Sequence, residues 1–305
     1  MNLPVGGNAL EALAAAVAWG GGDFSGGMGV KSAGGTTRAA LRVVLMSHVM
    51  SFVVLLGIAR LRSDAFPHGA VLAWGTGAGV AGGLSLMAFY IALSRGAMGA
   101  SAAVSGLLAA AIPAMVGMWQ AGSPGMRPMV GFLVAGVAIW LIAVGDPEPE
   151  TTNTLVLATL AGVGFGAYFV ALKMANSAGV VWPMATARMG SLTTCSLVAL
   201  GVGLRSKTRE SGDGVGCRTV LDPSNRRLLG TPVRWAMSTA LLDTSGNMLF
   251  VAATRAGRLD VAAVLASLYP ASTIGLAALT LGEWPTRRQG IGMLVAAAAV
   301  VMIAG

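Results

Sequence analysis

The segment GMLVAAAAVVMIAG, which begins at Gly292, nearly repeats GFLVAGVAIWLIAV, which begins at Gly131, at an offset of 161 residues. At an offset of 160, Arg95 falls on Arg255, Ala92 on Ala252, and Ala102-Ala103-Val104 on Ala262-Ala263-Val264. An echo that runs through several consecutive segments marks an internal duplication and not a chance match. The fold must then be one that the chain can build twice. The most informative residues become those at which the two copies differ.

Composition decides which kind of duplicated fold this is. The chain is 55% hydrophobic and only 10% charged, with a mean hydropathy of +0.74, where soluble domains carry about 25% charged residues. A hydrocarbon layer takes about 20 apolar residues per helix. Runs of that kind fall near residues 9 to 30, 39 to 59, 69 to 94, 99 to 119, 128 to 145, 154 to 175, 183 to 204, 232 to 254, 260 to 281 and 289 to 304. Backbone groups facing lipid must bond within their own segment, and the alternation of a membrane barrel is absent. The expected class is an all-α polytopic membrane protein with ten transmembrane helices. The net charge of +8 does not redirect this toward nucleic acid. Lys and Arg gather at segment ends and in loops, where they anchor helices at the headgroups. The first apolar run lacks a basic leader and a small-residue cleavage site and reads as a retained helix. Cys195 and Cys217 supply neither a disulfide framework nor a metal spacing, so no cofactor or metal is expected.

Five segments precede the acidic, proline-bearing stretch from Gly145 to Glu150, and five follow it. Two repeats are expected, over residues 1 to 147 and 148 to 305, the second carrying a polar, solvated loop at about 205 to 230. An odd number of spans per copy sends the second copy into the membrane from the opposite side. This is the inverted-repeat construction, which places substrate where the halves meet. The first helices align at an offset of 145, with Ser32-Ala33-Gly34 on Ser177-Ala178-Gly179 and Phe24 on Phe169. That alignment sets Asp23 against Tyr168; elsewhere Gly83 falls against Asp243 and Pro124 against Glu283. The loop cations divide almost evenly between the two sides when Arg188 is counted among them, so charge assigns no orientation.

Polar residues inside a hydrocarbon layer are costly unless they face the bundle interior or water, which makes them site candidates. Asp23 lies well inside the first helix, with Trp19 one turn earlier on the same face. A carboxylate beside an aromatic face suits a cationic or amine-bearing ligand, or a proton-coupled acid; the alternative is a pair with Lys31 or a neighbouring helix. Asp243 and Asn247 share one face of the eighth helix and can hold a polar metabolite or clamp a neighbouring helix. Tyr168, Tyr90 and Tyr269 each offer contact area and a hydroxyl, for a ligand or for packing. His48 is a candidate proton carrier, and Lys173 is expected to snorkel to the headgroups. Asp260 reads as the N-cap of the ninth helix, and Pro113 and Pro270 as kinks and hinges. The glycines around Asp23 and the ladder Gly75, Gly79, Gly83 read first as close-packing positions.

The chain lacks a His-Glu-x-x-His zinc motif, a Gly-x-Ser-x-Gly elbow and a phosphate-cradling Gly-x-x-x-x-Gly-Lys. With ten segments as five plus five, the succession Leu268-Tyr269-Pro270, Leu281-Gly282-Glu283, Gln289-Gly290-Ile291-Gly292 and a final apolar helix resembles the EamA-type branch of the drug/metabolite transporter superfamily. Pro113 and Gly131 match in the first copy, while Pro124 stands in place of the motif glutamate Glu283. The resemblance implies a carrier without its own ATPase, with a cavity between the repeats and termini usually cytoplasmic.

The expectation is therefore a secondary transporter of a small polar or amphipathic metabolite in the cell membrane, working in efflux by alternating access and drawing on the lipid bilayer and protons as partners. Trp19, Asp23, Tyr90, Tyr168, Asp243, Asn247 and Tyr269 would line its cavity, and Pro113, Pro270 and Glu283 would be hinge or motif positions. An intramembrane enzyme is the first rival and would depend on His48. A receptor or scaffold is the second, and would be disabled by deleting the long polar loop, which a transporter survives.

Overall fold

The computed structural model describes residues 6–95, 98–143, 152–210, 226–282 and 284–304. The described residues are helical, with no strand among them. The α-helices are α1 (Gly6–Ser32), α2 (Thr37–Leu61), α3 (Ala70–Arg95), α4 (Met98–Ala121), α5 (Met126–Ala143) and α6 (Thr152–Ala175). They continue as α7 (Val181–Glu210), α8 (Arg226–Ala256), α9 (Leu259–Ala266), α10 (Tyr269–Leu281) and α11 (Arg287–Ala304), with a short 3₁₀ turn at Asn176–Ala178.

Among the described residues, Arg38–Leu61, Ala70–Ala92, Val104–Ala121, Asn153–Ala178 and Leu259–Leu281 are long and apolar enough to cross a membrane, and Met126–Ile142 is a shorter apolar helix. The remaining long helices carry the polar groups of the interior: Asp23 in α1, Arg188 in α7, Asp243 and Asn247 in α8. Large apolar side chains stand exposed on the outside, among them Val17, Val53, Leu133, Leu160, Leu200 and Leu294, which is the surface a bilayer wets. Trp119 and Trp284, both strongly exposed at helix ends, suit the headgroup level. This is a multi-pass membrane protein.

The two helices that carry the sequence echo pack on each other, and they do so reciprocally. Gly131 of α5 meets Met302 and Ile303 of α11, while Gly292 of α11 meets Leu141 and Ile142 of α5. The start of each helix thus lies against the end of the other. Elsewhere α1 packs on α8 and α3 on α6, α3 on α7 and α2 on α8, α4 on α6 and α1 on α10. Helix α9 is buried along its whole length, as expected of a helix that is apolar on every side apart from the paired Asp260.

The proline expectations separate. Helix α4 continues unbroken through Pro113. The run read as one helix from 260 to 281 is broken at Ser267 and Leu268, and Pro270 sits in the first turn of α10, where its missing N–H has no helical acceptor to disappoint. Asp260 is not an N-cap: Arg258 holds that position, without a side-chain bond. The Asp260 carboxylate, fully buried one residue inside the helix, accepts the Val261 N–H at 3.0 Å and pairs with Arg258 at 2.7 Å. Arg258 in turn donates to the carbonyls of Ala121 at 3.3 Å and Gly122 at 2.5 Å, tying the end of α4 to the start of α9. Lys173, partly exposed near the end of α6, donates to the Thr254 carbonyl in the last turn of α8.

Candidate functional site

Small residues bring four helices together around the middle of α1. A Cβ on Gly20 would crowd Tyr269 and Ser272 of α10, one on Gly22 would crowd Asp243 of α8, and one on Gly26 the phenol of Tyr90 on α3. The glycines act as close-packing positions, and α1 stays helical through them. Asp23 lies between them. Its carboxylate is half-buried, makes no hydrogen bond or ion pair among the described residues, and lies within electrostatic reach of Asp243, Tyr90 and Tyr269. The pair with Lys31 that a bland reading allows does not form among the described residues.

Asp243, in contrast, is the middle of a chain of side chains that runs across α2, α6, α7 and α8. Arg188 of α7, with its side chain 5% exposed, forms an ion pair with Asp243, whose side chain is 26% exposed. The same guanidinium donates to Ser51 Oγ at 2.9 Å and to His48 Nε2 at 3.0 Å. Since a guanidinium only donates, Nε2 must accept, so His48 is neutral and its Nδ1–H donates to Ser191 Oγ at 2.6 Å. Ser51 shares a 2.5 Å hydrogen bond with Thr244. On the other side of Asp243, Asn247 Nδ2 donates to Oδ1 at 3.0 Å, and Asn247 Oδ1 accepts the Tyr168 hydroxyl at 2.7 Å. Arg188 is therefore a buried cation inside the helix bundle and not a loop residue, and the proton-carrier candidate His48 is held as its support.

The sequence candidates sort into two groups. Asp23 and Asp243 lie near one another and keep some exposure, with the phenols of Tyr90 and Tyr269, themselves buried, within electrostatic reach of Asp23. Tyr168 and Asn247 are buried and bonded to one another, and the Tyr168 ring lies on Gly82 of α3. Trp19 is buried in an aromatic stack, its ring 5.0 Å from Phe169 and 5.5 Å from Phe250, so its face is already covered by protein rings. Pro113 and Pro270 lie in α4 and α10 as described, and Glu283 lies outside the described residues. Removing the Tyr168 hydroxyl (Tyr168→Phe) is expected to cost about 1 kcal/mol, the range of interhelical hydrogen bonds in membranes. A denaturation series in detergent micelles checks this, and unchanged stability would mean that the phenol and the amide are not bonded.

A cavity of about 830 Å³ opens between the end of α2, the start of α7 and the last turns of α8, lined by Arg62, Asp64, Trp182, Ser245, Met248 and Arg255 among others. Neither carboxylate of the centre lines it. Ser245, one of its lining residues, lies between Thr244 and Asn247 of the polar chain along α8. Cavity and centre are thus neighbours along α8.

The model of the EamA-like transporter family matches residues 152–305, half of the chain and all of α6 to α11. The chain belongs to the EamA-like transporter family. This EamA-like protein is accordingly a membrane transporter of the drug/metabolite transporter superfamily. A solved structure titled only "Crystal structure of protein" is similar at 13% identity with a TM-score of 0.67, covering 97% of this chain and 95% of its own, which extends the shared fold through both halves. No curated protein matches the sequence.

Proposed function

We propose that this EamA-like transporter works by alternating access as two inverted five-helix repeats, residues 1 to 147 and 148 to 305, with ten spans in the cell membrane. It expels a small polar or amphipathic metabolite, and Asp23 couples that movement to protons. The carrying observation is Asp23 itself: a carboxylate deep in α1, half-buried and without a partner among the described residues, where α1, α3, α8 and α10 meet. An uncompensated charge in such a place is costly unless it serves a ligand or a proton.

The repeat reading is supported by the reciprocal glycine contacts of α5 and α11, which a twofold axis between antiparallel copies generates. Exchanging the halves also turns α1 with α8 into α6 with α3, α3 with α7 into α8 with α2, and α4 with α6 into α9 and α10 with α1, all of them packing pairs that are present. In the transport cycle, the α9 to α10 break beside Tyr269 serves as the hinge, and the cavity at Arg62, Asp64 and Arg255 is a vestibule on one side. Tyr90, Tyr269, Asp23 and Asp243 face the substrate. Trp19, Tyr168 and Asn247 hold the helices that carry them.

The test is flux into proteoliposomes over a panel of candidate metabolites, with and without an imposed pH gradient. Uptake that rises with the gradient and collapses with a protonophore is expected for at least one compound. Failure of every compound to move sinks the transport mechanism; movement indifferent to the gradient removes proton coupling alone.

A further inference from the structure

The central groups carry an odd balance of charge. With both carboxylates ionised, Asp23 and Asp243 each contribute one negative charge, Arg188 one positive charge, and His48 none because its Nε2 accepts from Arg188. Facing these groups from the other packed helices are the phenols of Tyr90 and Tyr269, which are neutral when protonated. The balance is one uncompensated negative charge, and it sits on Asp23. Arg188 cannot shift to serve Asp23 in its place, since Ser51 and His48 of α2 hold two of its donor positions while Asp243 takes the third.

We infer that Arg188 is a specificity-determining residue: by neutralising Asp243 from behind, it leaves Asp23 as the sole counter-ion and sets the site to accept a substrate with a single cationic amine. The inference rests on the proposed transport site and deepens it. An anionic substrate would meet the unpaired Asp23 charge, and a dication would find only one carboxylate free. The phenols supply what an amine needs besides charge, an aromatic wall and hydroxyl acceptors.

The experiment is isothermal titration of the purified full chain in detergent with three probes of different charge: phenethylamine, 1,6-diaminohexane and phenylacetate. Wild type is expected to favour phenethylamine over phenylacetate by about tenfold or more, as a partly desolvated charge pair allows. In Arg188→Gln two carboxylates stand uncompensated, and the ratio of affinities should swing about tenfold toward the diamine. The double variant Arg188→Gln/Asp243→Asn returns the balance to one negative charge and should return the wild-type order, a rescue that a merely structural role for Arg188 does not produce. Should Arg188→Gln fail to fold, Asp243→Asn alone brings the site to neutrality, and the preference for phenethylamine over phenylacetate should fall to near parity.

A wild type that binds none of the cationic probes or ignores probe charge overturns the inference. So do a double variant that does not recover the wild-type order and an Asp243→Asn variant that keeps the full preference for phenethylamine. The transport reading is judged apart from this, by the flux of uncharged and anionic candidates in proteoliposomes.

Discussion

Asp243→Ala is expected to lower the stability of the folded protein by about 3 kcal/mol, the scale on which removal of one partner from a buried ion pair strands the other. The stranded group is Arg188, 5% exposed and held by His48 and Ser51, so it can neither turn to lipid headgroups nor reach water without dismantling the α2 to α7 contact. Asn247 also loses its side-chain acceptor on Asp243 and keeps only the Asp243 carbonyl at 2.6 Å. Removing both charges together is a different case, because replacing an ion pair by neutral groups of similar size is often close to neutral. Arg188→Gln/Asp243→Asn should therefore recover most of what Asp243→Ala loses. Denaturant titrations of the variants in one detergent measure the differences. Equal stability of Asp243→Ala and wild type would show that the pair does not organise these helices.

Gly79→Leu is the second large effect, a loss of about 3 kcal/mol or failure to accumulate as folded protein, at the upper end of overpacking costs. A Cβ at Gly79 would overlap the Ala187 carbonyl and crowd the Ser191 N–H. Both obstacles are backbone, so no rotamer change relieves them and α3 must separate from α7. That separation carries Arg188 and Ser191 with it, and so disturbs the support of the central pair. Gly77, two residues away on α3, is exposed with nothing near its Cβ position, and Gly77→Leu should leave stability and flux nearly unchanged. Comparing the two leucine variants by size-exclusion profile and melting curve separates the close contact from any general cost of replacing a glycine in α3.

Much of the fold is written in the repetition. Gly131 and Gly292 stand at equivalent positions in the sequence, and in the fold each lies against the end of the other's helix, which is the reciprocity that the proposed pair of inverted repeats requires. Asp23 stood out in the sequence for a simpler reason, since a carboxylate deep in an apolar helix has few uses, and the structure gives it no bonded partner among the described residues. Arg188 was misread as a loop cation even though it lies within the apolar stretch 183 to 204, and its position there was the signal to follow. The Tyr168 to Asn247 bond was out of reach of the sequence, since the partner of a side chain on one helix is fixed by how neighbouring helices cross and not by spacing along either. The same holds for Trp19. Its place beside Asp23 on one helix face suggested a ligand wall, and packing gave that face to Phe169 and Phe250.

The most direct measurement is proton-driven flux through Asp23→Asn, reconstituted at the same amount of folded protein as wild type, for whichever compound wild type moves. Asparagine keeps the shape and removes the charge, and Asp23 has no hydrogen bond or ion pair among the described residues for the change to break. The account predicts a stable protein whose gradient-driven flux falls to the level of empty liposomes. Undiminished gradient-driven flux through a folded Asp23→Asn protein would contradict it.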